Sequence, residues 1–191
     1  MPDSPSLVYP TKVNVSLRVH ESTSEWCRDI NASLRELTES VVHLGRRAGN
    51  STPHVTIAMG VVGSKDSLSA LCRTVVDVAL RSSPMQIRLS APYRERVTGR
   101  YVFTDVVESP GFAAWRSHLN GELDGQLEER ARTSDVAHIT LGHVESKQES
   151  VDTLLASIDA PKGFIGEVVD VAVGGPKGTR GPLIASVAML G

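Results

Sequence analysis

The sequence predicts an α+β protein of two pseudo-symmetric lobes, each an antiparallel sheet backed by helices, with a central cleft between them. Three observations predict it. Segments that alternate apolar and polar residues, at 12–19, 54–61 and 137–144, are interleaved with segments whose apolar residues recur at helical spacing. A strand-to-helix unit occurs twice, as PHVTIAMGVVGSK from Pro53 and as AHITLGHVESK from Ala137. In both copies His and Thr share one strand parity and the aliphatic residues share the other, so each unit has an apolar face for helices and a polar face for something else.

Taken in order, KVNVSLRV at 12–19 sets Val13, Val15, Leu17 and Val19 opposite Lys12, Asn14, Ser16 and Arg18, the pattern of a half-buried strand. Ser22 and Glu25 form a capping box, and Trp26, Ile30, Leu34, Leu37, Val41 and Leu44 predict a helix over about 23–45. Residues 54–61 set His54, Thr56, Ala58 and Gly60 opposite Val55, Ile57, Met59 and Val61. A helix over about 65–82 follows, with Leu68, Leu71, Val75 and Val78 inward and Pro84 just beyond its end. Strands at about 85–90 and 100–107 flank an arginine-rich connection. Ser109 as N-cap and Pro110 at the first helical position open a third helix on Phe112, Trp115 and Leu119. After the strand at 137–144, a capping box from Ser146 to Glu149 opens a helix through Val151, Leu154, Leu155 and Ile158. Strands near 164–173 and 183–190 close the chain, and GGPKGTRGP between them reads as an exposed hairpin loop whose cations, Lys177 and Arg180, either touch an anion or belong to a mobile loop tip.

A length of 191 residues fits one domain, 1–191, of two packed half-domains. With 40% hydrophobic and 22% charged residues the chain is neither disordered nor fibrous, and no stretch is apolar enough to span a bilayer. Met1–Pro10 lacks a basic start followed by an apolar run, so it reads as a short lead-in rather than a secretory signal. Cys27 and Cys72 are too few for a disulfide framework and lack metal-ligand spacing, which points to a reducing cytoplasm. A formal net charge of −2 gives no general attraction for polyanions, so a small phosphorylated substrate is expected rather than a long duplex or tRNA-sized one, and the chain is expected to be a monomer. The local exception is the cluster Arg88, Arg94, Arg96 and Arg100, which reads either as a contact for a few phosphates or as a solvated loop.

One His-x-Thr is a weak motif, but two in matched contexts put His54, Thr56, His138 and Thr140 on polar strand faces that look away from the helices. Two imidazoles across a pocket suit phosphodiester chemistry: a neutral ring takes a proton from the nucleophile while a protonated one gives a proton to the leaving oxygen. The threonine hydroxyls can donate to the non-bridging oxygens as charge gathers there. Neither a metal nor a cofactor is required. HExxH, GxSxG, a P-loop and a dinucleotide fingerprint are all missing from the sequence.

HVT and HIT, 84 positions apart (138 − 54), resemble the paired motifs of the two-histidine phosphoesterase superfamily, in the branch of the bacterial 2'-5' RNA ligases and 2',3'-cyclic nucleotide phosphodiesterases. The resemblance runs from the first strand near Lys12 to the last near Leu190. It implies that His54 and His138 are the acid-base pair and that Thr56 and Thr140 hold the phosphate. It also implies a substrate contact five residues beyond the second histidine, commonly an arginine or aromatic in that branch and here His143. Strand parity places His143 with Ile139 and Leu141 on the apolar side, so a buried structural role stands beside that reading. Tyr93, Arg94 and Arg100 are further candidate substrate contacts, and Tyr93, Tyr101, Phe103 and Trp115 a candidate base-stacking platform. His20, His43 and His118 do not repeat and read as structural.

The expected activity is metal-independent phosphodiesterase action on 2',3'-cyclic phosphates or 2'-5'-linked nucleotides, the partner being a small nucleotide or short oligonucleotide. Degradation of cyclic oligonucleotide messengers, and a nucleotide- or RNA-binding module without turnover, are the alternatives.

Overall fold

The structure, a computed structural model, describes residues 7–38, 42–45, 51–129, 136–145, 148–175 and 179–191. Ser146 and Lys147 of the second repeat, Lys177, residues 39–41 of the expected first helix and the first six residues of the lead-in lie outside the described residues.

The first half of the chain supplies β1 (Thr11–Arg18), α1 (Glu21–Leu37), β2 (His54–Val62) and α2 (Lys65–Leu80). The second half repeats that order with β5 (Tyr101–Val107), α3 (Pro110–Glu122), β6 (His138–His143) and α4 (Gln148–Ala156). Between and after these units come β3 (Met85–Leu89), the short β4 (Tyr93–Arg94), β7 (Phe164–Gly166), β8 (Val168–Gly174) and β9 (Arg180–Ala188). The strand expected at 164–173 is thus two strands, because β7 pairs with β3 whereas β8 pairs with β1.

The pairings between the named strands are antiparallel and join them into a single curled sheet, in the order β7-β3-β5-β6-β2-β1-β8-β9 with β4 alongside β5. The order is palindromic about the β6–β2 junction. β1, β2, β8 and β9 on one side correspond to β5, β6, β3 and β7 on the other. Each half of the chain gives a strand to the opposite lobe: β3, from the first half, flanks β5, and β8, from the second, flanks β1. The helices cross over too, α1 packing on β6 and α3 on β2.

Helices α2 and α3 start where the sequence places them. Ser64 and Ser109 accept from the backbone N–H groups of Ser67 and Phe112. Helix α1 differs at both ends. His20, rather than Ser22, is its N-cap and accepts from the Ser22 N–H, while the helix stops at Leu37 instead of running to 45. The cause of the early stop is Asn31, which is 1% exposed on the inner face of α1. Its amide donates to the Val42 carbonyl at 2.9 Å and its carbonyl accepts from the Leu44 N–H at 3.0 Å, holding that segment extended. Val42 and Leu44 are then buried from a strand-like path, and His43 lies exposed after α1 rather than within it.

The core lies between the helices and one face of the sheet. Val13, Val15 and Leu17 of β1, Val55 and Ile57 of β2, and Ile139 and Leu141 of β6 are fully buried there, with Leu34, Leu71, Val75, Phe112 and Leu119 from the helices. Trp115 belongs to this core, its indole N–H donating to the Ser82 hydroxyl at 3.1 Å, and so it is not part of a stacking platform. At Gly163 an added Cβ would stand 2.1 Å from the Ile87 carbonyl oxygen, so only glycine lets β7 approach β3. No helix among the described residues is long and apolar enough to cross a membrane.

Candidate active site

The site is set by one register. Val55 of β2 pairs with Ile139 of β6. Because residue numbers across an antiparallel pair have a constant sum, here 194, His54 stands across from Thr140 and Thr56 across from His138. Val55 and Ile139 point into the core, so the four polar side chains share the opposite face of two adjacent strands, related by a pseudo-twofold through the Val55–Ile139 pair. The duplicated unit therefore brings its two copies together at the sheet centre.

Each motif ends in an irregularity that alternation cannot reveal. In β2, Val15 pairs with Ala58 and Ser16 with Thr56, leaving Ile57 as an extra residue. In β6, Val102 pairs with Gly142 and Phe103 with Thr140, leaving Leu141 extra. A bulge one residue after the threonine reverses strand parity in both copies. Ala58 and Gly60 thus turn to the core side with Val15 and Val13, while Met59 joins the polar face with Asn14. Likewise His143 does not share a face with Ile139 and Leu141. It pairs with Tyr101 on the side of His138 and Thr140, although it is only 1% exposed beneath the Tyr101 ring. The two rings meet edge to face at 4.9 Å. The extra residue in β6 is secured from behind, because the Asn31 amide also donates to the Leu141 carbonyl at 2.7 Å.

Both motif histidines are oriented through Nδ1. That of His54 donates to the Thr52 carbonyl at 2.7 Å, and that of His138 to the Val136 carbonyl at 3.2 Å. A carbonyl can only accept, so each Nδ1 carries a proton and Nε2 is the nitrogen that can take or give one. The Asn14 side chain, fully buried on β1, places its amide nitrogen 3.3 Å from His54 Nε2 and 3.3 Å from Thr56 Oγ1.

The surroundings of the two rings differ. Arg18 pairs with His54, while Asp105 holds the corresponding place beside His138. Phe103 occupies the position that Ser16 has in the other lobe, and Tyr101 that of Asn14. Phe103 lies against the His138 ring at 4.1 Å between centroids, stacks on Tyr101 at 5.6 Å and meets Tyr93 edge-on at 6.3 Å. Burial holds the His138 imidazole below its ordinary pKa, opposed by the Val136 carbonyl and the Asp105 charge and reinforced by Arg116. Replacing Asp105 by Asn removes a charge that favours the imidazolium, so the NMR titration of His138 is expected to move to lower pH; an upward move would reject this account.

Of the remaining candidates, Tyr93 lies at the edge of this aromatic wall and donates to Asp105 at 2.8 Å. Arg94 is not brought to the histidine face. It pairs with Val102, a core residue, and binds Asp152 of α4 through Nε at 2.8 Å and Nη2 at 2.5 Å. Arg100 is exposed, one residue out of phase with Tyr101. The connection that carries it is organised by Glu95, which accepts from the N–H groups of Val97, Thr98 and Arg100 and from the Thr98 hydroxyl. These bonds outweigh desolvation and pull the Glu95 carboxyl down to about 2.

The cluster of buried Asp170 with Arg18 and Arg180 near the site escapes the sequence reading. Asp170 of β8 is fully buried and lies opposite Ser16, where it binds Arg18 and Arg180 at 2.6 Å each. Arg180, expected on an exposed loop, begins β9 with its side chain 9% exposed. It donates through Nη2 to the Thr52 hydroxyl at 3.1 Å, bracing the residue whose carbonyl orients His54. The available signal was Asp170 itself, a lone charge inside the apolar run VVDVAV.

The family model described as the 2'-5' RNA ligase superfamily matches residues 24–173, which is 150 of the 191 residues. The chain belongs to that superfamily. The 2'-5' RNA ligase superfamily comprises two-histidine phosphoesterases, and membership marks this chain as a phosphoesterase. Among solved structures, Escherichia coli LigT complexed with 3'-AMP superposes with a TM-score of 0.65 at 16% identity, covering 95% of this chain and 99% of LigT. TT0787 of Thermus thermophilus gives 0.66 at 13% identity, covering 93% and 97%. Usb1 of Kluyveromyces marxianus gives 0.54 at 13%, covering 93% and 98%. At these identities the likeness is one of fold. No curated protein matches the chain by sequence. No group of three or more His, Cys, Asp or Glu among the described residues is placed to hold a metal ion.

Proposed function

We propose that the chain is a metal-independent phosphodiesterase acting on ribose-linked phosphodiesters, 2',3'-cyclic phosphates or 2'-5' linkages, with His54 and His138 as acid and base and Thr56 and Thr140 as phosphate donors. The observation that carries this reading is the Val55–Ile139 register, which puts two imidazoles and two hydroxyls on one face about the pseudo-twofold. A phosphorus centred there has an Nε2 on either side, one to take a proton from the attacking oxygen and one to return a proton to the departing oxygen. The hydroxyls donate to the non-bridging oxygens as they gain charge. The aromatic wall of Tyr93, Phe103 and Tyr101 supports a nucleobase lying beside His138. LigT has been crystallised with 3'-AMP, ATP and NADP+, which are ligands of the kind proposed.

The exchange of strands between halves supports one folding unit over 1–191. The free Cys27 and Cys72 suit a reducing compartment such as the cytoplasm, and burial lifts the Cys27 thiol to about 12, which keeps it unreactive.

The test is to incubate EDTA-treated protein with the four 2',3'-cyclic nucleotides and a 2'-5' dinucleotide and to follow products by phosphorus NMR. Turnover without added metal is expected, and the position of the product phosphate identifies the leaving oxygen. A folded protein that needs a divalent ion for turnover would overturn the mechanism.

A further inference from the structure

The corner of the site beside His54 gathers two guanidinium groups around one carboxylate. Arg18 is paired with His54 across β1 and β2, and its side chain lies on the same face as the histidine. Its Nε and Nη2 donate to Asp170 at 2.9 and 2.6 Å, and Nη2 also reaches the Ser186 hydroxyl at 2.8 Å. Asp170 receives Arg180 as well, through Nη1 at 2.6 Å. Two guanidinium groups on one carboxylate leave a surplus of one positive charge. The Arg180 side chain is 9% exposed and that of Arg18 44%, so the surplus meets solvent on Arg18. A guanidinium fixed by a bidentate bond to a buried carboxylate is oriented before any ligand arrives, which lowers the entropy lost on binding an anion.

Two further observations point the same way. Ser16 lies between Thr56 and Asp170 in the strand pairing, and its hydroxyl is buried without a hydrogen-bond partner among the described residues, as is Arg180 Nε. Both are donors around one carboxylate that is already occupied. The pseudo-twofold supplies the contrast, because the places of Arg18 and Ser16 are taken in the other lobe by Asp105 and Phe103. An anion is therefore favoured on the His54 side, where Arg18 is exposed, over the His138 side, where Asp105 stands and Arg116 is bound by Glu108.

We infer that Arg18, with Ser16 and the Asp170–Arg180 pair behind it, forms a subsite for a second phosphate of the substrate, next to the scissile phosphodiester on the His54 side. The inference rests on the phosphodiesterase reading and deepens it: the preferred substrate is a nucleotide bearing a phosphate besides the one attacked. The Arg18 guanidinium leans over the gap between β1 and β8, about two strand spacings or roughly 9–10 Å from the pseudo-twofold. A neighbouring phosphate of the same nucleotide, together with its charge-assisted hydrogen bond to the guanidinium, fits that interval. The sequence of features across the sheet, from aromatic wall to histidine pair to arginine, gives such a substrate one orientation.

Calorimetry on the full chain would compare adenosine 2'-monophosphate with adenosine 2',5'-bisphosphate, alongside turnover of 2',3'-cyclic AMP with and without a 5'-phosphate. The wild-type protein is expected to bind the bisphosphate about tenfold or more tightly than the monophosphate, the range for a charge-assisted contact. R18Q is expected to bring that ratio close to one, and R18K to keep part of it, with thermal melting confirming that each variant folds. A ratio near one in the wild type, or one unchanged in R18Q, overturns the subsite even where cyclic substrates are turned over. An Arg18-dependent ratio in a protein that turns over neither cyclic substrate nor a 2'-5' dinucleotide supports the subsite and overturns the phosphodiesterase reading instead.

Discussion

Replacing His54 or His138 by alanine is expected to lower kcat on a 2',3'-cyclic nucleotide by about 10²–10⁴-fold, the usual contribution of one positioned acid or base. The double variant should fall little further, because a proton taken at one oxygen and a proton returned at the other belong to one displacement, and removing either disables both. The fold should survive in each case. His54 is 7% exposed, but it stands on the polar face of β2, whereas the core contacts of the motif are made by Val55 and Ile57. Circular dichroism and thermal melting alongside kinetics separate loss of chemistry from loss of structure. A single variant retaining more than about a tenth of wild-type kcat would remove that histidine from proton transfer.

The second large effect is on stability. Asp170→Ala should destabilise the chain by about 3–5 kcal/mol, because it leaves the guanidinium of Arg180 buried with no carboxylate opposite it. Urea denaturation followed by fluorescence gives the value, and a loss below about 1 kcal/mol would mean that water replaces the carboxylate at little cost. The same residue predicts an acid limb. Burial opposes ionisation of Asp170, but Arg18 and Arg180 overcome it and hold the carboxyl below its ordinary value. A carboxyl lowered in the folded state contributes stability that is fully present above its unfolded pKa of about 3.9 and is lost as pH falls through the folded value. The wild-type protein should therefore lose stability in that acid window, and Asp170→Asn should lose less there, keeping only the share of Glu95 and Asp152, whose carboxyls are also lowered.

Much of this was legible in the sequence because it is local. Alternation with period two exposes a polar strand face whatever the strand pairs with, so His54, Thr56, His138 and Thr140 could be grouped before any register was known. The duplication then gave the α+β class and the two lobes. What escaped depends on pairs of elements distant in sequence. The bulges after Thr56 and Thr140 exist only relative to β1 and β5, and they alone move His143 and Met59 to the site face. Apolar periodicity carries α1 on to Leu44, and only the bonds from Asn31 to Val42 and Leu44 show why the chain leaves the helix. Arg94 lay close in sequence to Tyr93 and Arg100, but neighbours on a strand point to opposite sides, and Asp152 takes it to the helix layer.

The exchange of strands between the lobes also dictates an order of assembly. Emerging from a ribosome, the first half can pair β1 with β2, but the other edge of β1 has no partner until β8 is made, some 150 residues after the end of β1 (168 − 18). Contacts of such separation slow folding, and an unsatisfied strand edge invites pairing with another chain in the meantime. Fragments that stop before β8 should accordingly associate rather than fold alone, and the finished protein should gain its cooperativity only when the last three strands arrive.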